Sequence, residues 1–197
     1  NDTRRAQGEH RHLGCYATCA GLIALLRSRG VEIVDSITDP EILHKGLALS
    51  ARVCAHPLVV INGEGSIHHD QPRARTMLQL AAGALLAGRR VWLLNSEYYR
   101  MGSDSDRIVA QFHHVAIRDA VSLARAPRNA VLSADCSWLL PPAPPMKRDE
   151  TLLVARGLRL PDRDNVFALA KALGHYDAWV TGVRREESPT RTSNPLI

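Results

Sequence analysis

The chain has 197 residues, of which 45% are hydrophobic and 5% aromatic, so an aliphatic core can fill one large domain and part of another. The net charge is +5, and all but three of the 25 basic residues are Arg, which suits an anionic small-molecule substrate. The sequence has no dense basic run and no apolar run of about 18 residues, which disfavours nucleic acid as a partner and predicts no membrane-spanning helix. A genome rich in G and C would also raise the Arg content, and this alternative stays open.

The four cysteines show no second close pair that would complete a zinc-binding spacing. Cys15 and Cys19 are one helical turn apart, and with Cys54 and Cys136 they are predicted to be reduced thiols in the core of a cytoplasmic protein. We therefore expect neither a metal nor a cofactor. The first residue is Asn1 rather than Met, which we interpret as the start of a fragment.

The first predicted helix opens at Leu13 and presents one apolar face, with Gly30 as a left-handed cap at its end. A short apolar strand is predicted over residues 31–34. A second helix is predicted to run from Asp39, as its N-cap, to about Cys54, because a proline directly follows the aspartate.

The chain is organised around residues 58–61, where four large apolar residues indicate a strand buried on both faces. This strand runs into Asn62-Gly63-Glu64-Gly65, and the two glycines allow a tight turn and close approach of a ligand to the backbone. Open α/β sheets bind their ligands at the carboxyl ends of strands, so we expect a site here. An ordinary glycine turn is the alternative.

Short apolar strands alternate with helices through residue 140, which favours an α/β fold with a doubly wound, parallel, Rossmann-like sheet. Strands 58–61 and 91–94 are predicted at its centre, because both are apolar on both faces. The remaining predictions are helices over 72–86, 106–112 and 120–126 and strands over 114–117 and 130–132.

Residues 141–150 are rich in proline and predict a stiff linker. The linker would join an N-terminal domain, residues 1–140, to the start of a second Rossmann-like domain, residues 151–197. The second domain is predicted to contain strands over 151–155 and 176–180 and a helix over 164–173. The chain would then hold only part of a two-domain protein.

Four motifs follow one another along the first domain. They are the Asn-Asp-Thr opening with the Gly-Cys helix start at 12–18, the glycine-rich turn at 60–66, the Arg-Asp-x-x-Ser segment at 118–122 and the Asp-containing segment at 134–138. In these motifs the chain resembles the polysaccharide pyruvyl transferase family, whose two Rossmann-like domains face each other as in many nucleotide-sugar glycosyltransferases.

The resemblance implies a transferase of cell-surface glycan biosynthesis that moves a pyruvyl group from phosphoenolpyruvate to a glycan acceptor, in the cytoplasm or at the inner face of the membrane. Its catalytic residues would be Glu64, His68 and Asp135, with proton transfer at the first two. Its substrate-binding residues would lie at strand and helix ends, with Arg118 as a clamp for an anion. The predicted binding set is Gly14, Cys15, Thr18, Asn62, Gly63, Gly65, Asn95, Ser96 and Arg118.

Two other functions stay open. Some proteins with this domain resemble retaining transferases of the acidic sugar Kdo, and there Glu64 and Asp135 would correspond, with the aspartate as nucleophile towards a CMP-activated sugar. The chain departs from the family after residues 181–182, where a Gly-Arg-Phe/Tyr-His segment is missing. A truncated, non-catalytic module that binds sugar or nucleotide is therefore the third interpretation.

Structural roles compete with catalytic ones at three places. We favour a structural ion pair between Arg118 and Asp119 over direct catalysis. Asp135 is either a catalytic carboxylate or a helix N-cap or interdomain hydrogen-bond acceptor. The histidine pair at 68–69 is not expected to bind a metal, because adjacent residues rarely ligate one ion from a single turn.

Overall fold

A computed structural model describes residues 13–140 and the backbone of two later strands, over residues 151–156 and 176–181. The chain divides into two compact units, residues 1–142 and 143–197. The described helices are α1 (Leu13–Ser28), α2 (Asp39–Lys45), α3 (Ser50–Cys54), α4 (Pro72–Leu86), α5 (Ser103–Val109) and α6 (Ala120–Leu123), with 3-10 helices at Gly46–Leu49 and Cys136–Leu139. The described strands are β1 (Leu58–Glu64), β2 (Arg90–Ser96), β3 (His114–Ile117), β4 (Ala130–Leu132), β5 (Thr151–Arg156) and β6 (Tyr176–Thr181).

The first unit is built on a four-stranded parallel sheet in the order β1-β2-β3-β4. The α/β, Rossmann-like class predicted from the alternation of strands and helices is confirmed. In the second unit β5 and β6 form a parallel pair, as their strand patterns predict. The predicted linker and the predicted helix over 164–173 lie outside the described residues.

Successive side chains of β2 enter two different cores. Val91 and Leu93 pack with α4 on one face of the sheet, whereas Trp92 and Leu94 pack on the other face, where Leu22 of α1 lies. A strand reads as continuously apolar when both of its faces are covered in this way. The carboxyl end of β2 is therefore positioned between two helical layers.

The predicted central position of β1 is wrong, although that of β2 is correct. Within the described residues β1 pairs with β2 alone and forms an edge of the sheet. The strand predicted over residues 31–34 is also absent, and the segment 31–37 lies along an apolar cavity of about 440 Å³ that β1 also lines. Without a backbone partner at strand spacing, about 4.8 Å, this segment cannot form a ladder.

Local signals set the helix ends, with one correction. Gly30 ends α1 in the left-handed region at φ 75°, as predicted, and the Val31 amide donates to the Leu26 carbonyl. The N-cap of α2 is Thr38 rather than Asp39, because the Thr38 hydroxyl accepts from the amide of Glu41 while Asp39 pairs with an arginine of α4.

Three predicted helices differ in extent from the observed ones. The helix predicted to reach Cys54 is interrupted at Gly46, which has φ 49°, and continues as a 3-10 turn and then α3. Helix α5 begins and ends three residues earlier than predicted, and α6 ends at Leu123. In contrast, α4 spans the predicted residues 72–86. None of the described helices is both long enough and apolar enough to cross a bilayer.

An ion-pair network fastens the segment before α2 to α3. Arg52 donates to Asp35 through Nε at 2.7 Å and to Glu41 through Nη1 at 2.8 Å. The hydrogen bond from Arg52, which outweighs the effect of burial, lowers the pKa of Asp35 to about 2. The Thr38 amide, followed by Arg52, lowers the pKa of Glu41 to about 2.

This network predicts an acid-dependent loss of stability. Both carboxyl groups have lower pKa values in the folded protein than their ordinary 3.8 and 4.5, so their contribution is fully present above about pH 4.5. It is lost as the pH falls towards 2. We expect the free energy of unfolding, measured with urea, to fall more steeply over this pH interval for the wild type than for Arg52→Gln. Arg107→Gln, which removes an exposed ion pair with Asp104, is the control and should keep the wild-type slope.

Candidate functional site

Backbone strain is concentrated where β1 and β2 end. The described residues other than glycine with positive φ all lie at or after the carboxyl ends of these two strands: Glu64 (43°), His69 (53°), Asp70 (45°), Asn95 (52°) and Arg100 (49°). Such conformations cost about 1–3 kcal/mol each and occur preferentially at binding and catalytic sites. The strain therefore marks the same edge of the sheet that the sequence indicates.

A chain of buried polar groups crosses this edge. Glu64 is 5% exposed, and its Oε1 accepts from Nδ2 of Asn62 at 2.7 Å. The Asn95 amide donates to Asn62 Oδ1 at 3.5 Å, and its own Oδ1 accepts from the backbone amide of Cys136 at 2.9 Å. The side chains of two strand ends thus connect Glu64 to the residue that follows Asp135.

A second group is centred on Arg118, which follows β3. Its guanidinium donates to Glu97 at 2.6 Å and to Asp135 at 3.0 Å. Asp135 also accepts from the Thr18 hydroxyl at 3.2 Å and from the Ser137 amide at 2.8 Å. Helix α1 and the ends of β2, β3 and β4 all contribute to this group.

The charges of this group are mutually stabilised. Burial would raise the pKa of Asp135, but the Ser137 hydrogen bonds, the charge of Arg118 and the Thr18 hydroxyl together hold it below the ordinary value. Burial would lower the pKa of Arg118, but Glu97 and Asp135 outweigh it and raise that pKa. Asp135 is therefore ionised and Arg118 charged at neutral pH.

Most of the predicted site residues lie at this one edge. Glu64, Asn62 and Asn95 belong to the buried chain, and Thr18, Arg118 and Asp135 to the charged group. Gly14 and Cys15 are in the first turn of α1, one turn before Thr18. Gly65 faces the charged group, since a Cβ there would lie 3.6 Å from the Glu97 carboxylate and 3.8 Å from Arg118.

Gly63 is required by packing. A Cβ at this position would lie 2.2 Å from Oγ and 2.4 Å from Cβ of Ser96, which is 0% exposed and cannot move aside. The neighbouring strand therefore accounts for the glycine without a ligand. Its predicted binding role, and that of Ser96, stay predictions.

The structure shows which structural contacts Arg118, Asp119 and Asp135 make. The predicted pair between Arg118 and Asp119 is wrong, since the ion-pair partners of the arginine are Glu97 and Asp135, while Asp119 caps α6 through the Ser122 amide. Asp135 is an N-cap, of the 3-10 helix Cys136–Leu139, as its structural alternative predicts. It combines this role with the ion pair to Arg118.

His68 lies in the loop beyond Glu64, beside the loop that follows β2. Its Nδ1 is 2.9 Å from Nδ1 of His69, and it forms a bridge with Tyr99. Its ring meets the ring of His69 edge-on, with the two ring centres 5.1 Å apart. The residues that the structure describes contain no group of three or more His, Cys, Asp or Glu that could hold a metal.

Two residues of the site, Glu97 and Cys136, are not predicted as site residues from the sequence. Glu97 is a partner of Arg118, although its only sequence signal is its place directly after the polar strand end Asn95-Ser96. Cys136 contributes its backbone amide, and burial raises the pKa of its thiol to about 11, which makes it an unreactive core group. Cys54 and Cys136 form no disulfide, in agreement with the predicted reduced state.

Comparisons with known proteins give one short similarity. A segment of 32 residues is 59% identical to the adenosine 5'-phosphosulfate reductases of Mycolicibacterium smegmatis and Rhodococcus opacus. The match covers 16% of this chain and 14% and 13% of those two proteins, so it spans a small part of each. No family model matches the chain, and no solved structure matches it.

Proposed function

We propose that the protein is a transferase of the polysaccharide pyruvyl transferase type, which moves a pyruvyl group from phosphoenolpyruvate to a sugar of a cell-surface glycan. The observation that carries this proposal is Glu64, a carboxylate only 5% exposed, in a left-handed conformation at the carboxyl end of β1. Asn62 fixes its orientation. A buried, oriented carboxylate beside a substrate edge is suited to general acid–base catalysis.

The reaction assigns different roles to the two carboxylates. When a sugar hydroxyl adds to the central carbon of phosphoenolpyruvate, the hydroxyl loses a proton and the methylene carbon gains one. A second hydroxyl then displaces phosphate and closes the ketal. We assign the proton transfers to Glu64. Asp135, whose pKa is held low by Ser137 and Arg118, stays ionised and orients the arginine instead.

A second candidate is a retaining transferase that uses a CMP-activated acidic sugar of the Kdo type. The ionised state of Asp135 favours it, because a carboxylate nucleophile must be deprotonated. The match to the reductases involves 16% of the chain, and we propose no reductase activity from it. Since both donors are intracellular metabolites, we propose a cytoplasmic location for either transferase.

The choice of donor tests the proposal. We expect the complete gene product to release inorganic phosphate from phosphoenolpyruvate and to add one pyruvyl group to an oligosaccharide acceptor, as measured by mass spectrometry. Release of CMP from the activated sugar, with no use of phosphoenolpyruvate, would instead support the second candidate. Sugar binding without turnover of either donor would overturn both and identify a non-catalytic module.

A further inference from the structure

Arg118, the arginine expected to bind the anionic group of the donor, already forms ion pairs with two carboxylates. Both carboxylates beside Arg118 are within 3.0 Å of its guanidinium, so its charge is neutralised by Glu97 and Asp135. A phosphate approaching this arginine would have to displace one of them. The anionic group of a donor therefore requires cations elsewhere along the same edge.

Two such cations lie on Tyr99. The guanidinium carbon of Arg125 is 4.3 Å from the centre of the Tyr99 ring, and that of Arg100 is 5.1 Å from it. The two positive groups can be no further apart than the sum of these distances. The imidazole of His69 lies against the same ring, with the two ring centres 5.2 Å apart.

The described residues provide these two cations with no ion-pair partner. Neither Arg100 nor Arg125 forms an ion pair with a carboxylate of the described residues, unlike Arg118. Asp70, in the same loop as His69, accepts from the Gly102 amide at 2.8 Å and from the Ser105 hydroxyl at 2.7 Å. Two like charges held on one ring repel each other, and a bound dianion would remove that repulsion.

Backbone hydrogen bonds tie the loops that carry Tyr99 and His69 to the end of β1. The Glu97 amide donates to the Glu64 carbonyl at 2.7 Å, and two residues later the Tyr99 amide donates to Ile67 at 3.2 Å. The His69 amide in turn donates to the Tyr99 carbonyl at 2.8 Å. Hydrogen bonds between the loops after β1 and β2 thus hold Tyr99 and His69 at the same edge of the sheet as Glu64.

We propose that Arg100, Arg125 and His69, arranged around Tyr99, form a binding site for the phosphoryl group of the donor. Guanidinium groups bind phosphate through charge-assisted, bidentate hydrogen bonds, and the tyrosine ring holds them in place. The phosphoryl group belongs either to phosphoenolpyruvate or to a nucleotide-activated sugar. As a donor site the cluster rests on the proposed transferase function, although phosphate binding does not.

Titration calorimetry of the 197-residue chain at fixed ionic strength tests the site. Inorganic phosphate, phosphoenolpyruvate and CMP are the probes. We expect Arg100→Gln combined with Arg125→Gln to weaken phosphate binding at least about tenfold, since two charge-assisted contacts are lost. Arg128→Gln removes an exposed arginine of the same region and should change binding less than about twofold.

The probes separate the two sources of the phosphoryl group. Tighter binding of phosphoenolpyruvate than of CMP supports the enol phosphate as donor, and the reverse order supports the nucleotide; both support the site. Equal phosphate binding by the double variant and the wild type, or no phosphate binding by the wild type, would overturn it. Phosphate binding that the double variant loses, in a protein that turns over neither donor, would overturn the proposed function and support this site.

Discussion

Glu64→Gln is expected to reduce turnover in the proposed transferase reaction by about 10²–10⁴-fold while the fold stays intact, because general acid–base catalysis contributes about this much. Glutamine has the size of glutamate and its amide oxygen can still accept from Asn62, which donates to Glu64 at 2.7 Å. It cannot exchange a proton at neutral pH. The measurement pairs turnover of phosphoenolpyruvate by the complete gene product with thermal unfolding of the same sample.

Glu41→Gln is the matched control for this experiment. Glu41 is a carboxylate of the Arg52 ion-pair network. Its replacement should therefore lower the free energy of unfolding at neutral pH and leave turnover unchanged. The same pattern at Glu64, a lower melting temperature with full turnover, would identify a purely structural carboxylate. The assignment of proton transfer would then be wrong.

Gly21→Ala is expected to destabilise the protein by about 1–3 kcal/mol or more, the range for overpacked cores. A Cβ at Gly21, in the middle of α1, would lie 1.9 Å from the carbonyl oxygen of Cys136 and 2.8 Å from its carbonyl carbon. Both are backbone atoms, so a rotamer change cannot relieve the overlap. Helix α1 would separate from the 3-10 helix and weaken the hydrogen bond from Thr18 to Asp135.

Gly83→Ala is the control, and it should change the free energy of unfolding in the opposite direction. Gly83 lies in α4, and a Cβ there would meet no atom within 4 Å. Alanine favours a helix over glycine by about 1 kcal/mol, so this variant should be more stable than the wild type. Urea unfolding of both variants measures the contrast. A stabilised Gly21→Ala would show that α1 does not pack against Cys136.

The elements predicted most accurately carry strong local signals. Helix α4 begins at a proline, is apolar over most of its surface and ends before Gly88, and its observed bounds match the prediction. Strand β3 is a short apolar run between polar residues, and it also matches. Local sequence determines the identity of such segments because their burial and their ends depend on nearby residues.

Several of the errors concern properties that depend on distant residues. An apolar strand has the same sequence whether one or two strands adjoin it, so the edge position of β1 is not encoded in residues 58–61. The partners of Arg118 are 21 and 17 residues away in sequence, and only the sheet brings them together. Gly21 carries no local signal at all, because its requirement arises from the backbone of Cys136.

The edge position of β1 also bears on how the protein behaves in concentrated solution. Residues 58–63 carry no charge and no proline, and three of them are β-branched, which is the composition of segments that assemble into cross-β structure. Natural sheets protect such edges with lysine, proline or a covering element, whereas β1 has neither residue and pairs on one side only among the described strands. The described segment nearest this edge is 31–37, which lines the same apolar cavity as β1. Solubility at high concentration therefore depends on this segment, and self-association would begin at β1 if the segment were displaced.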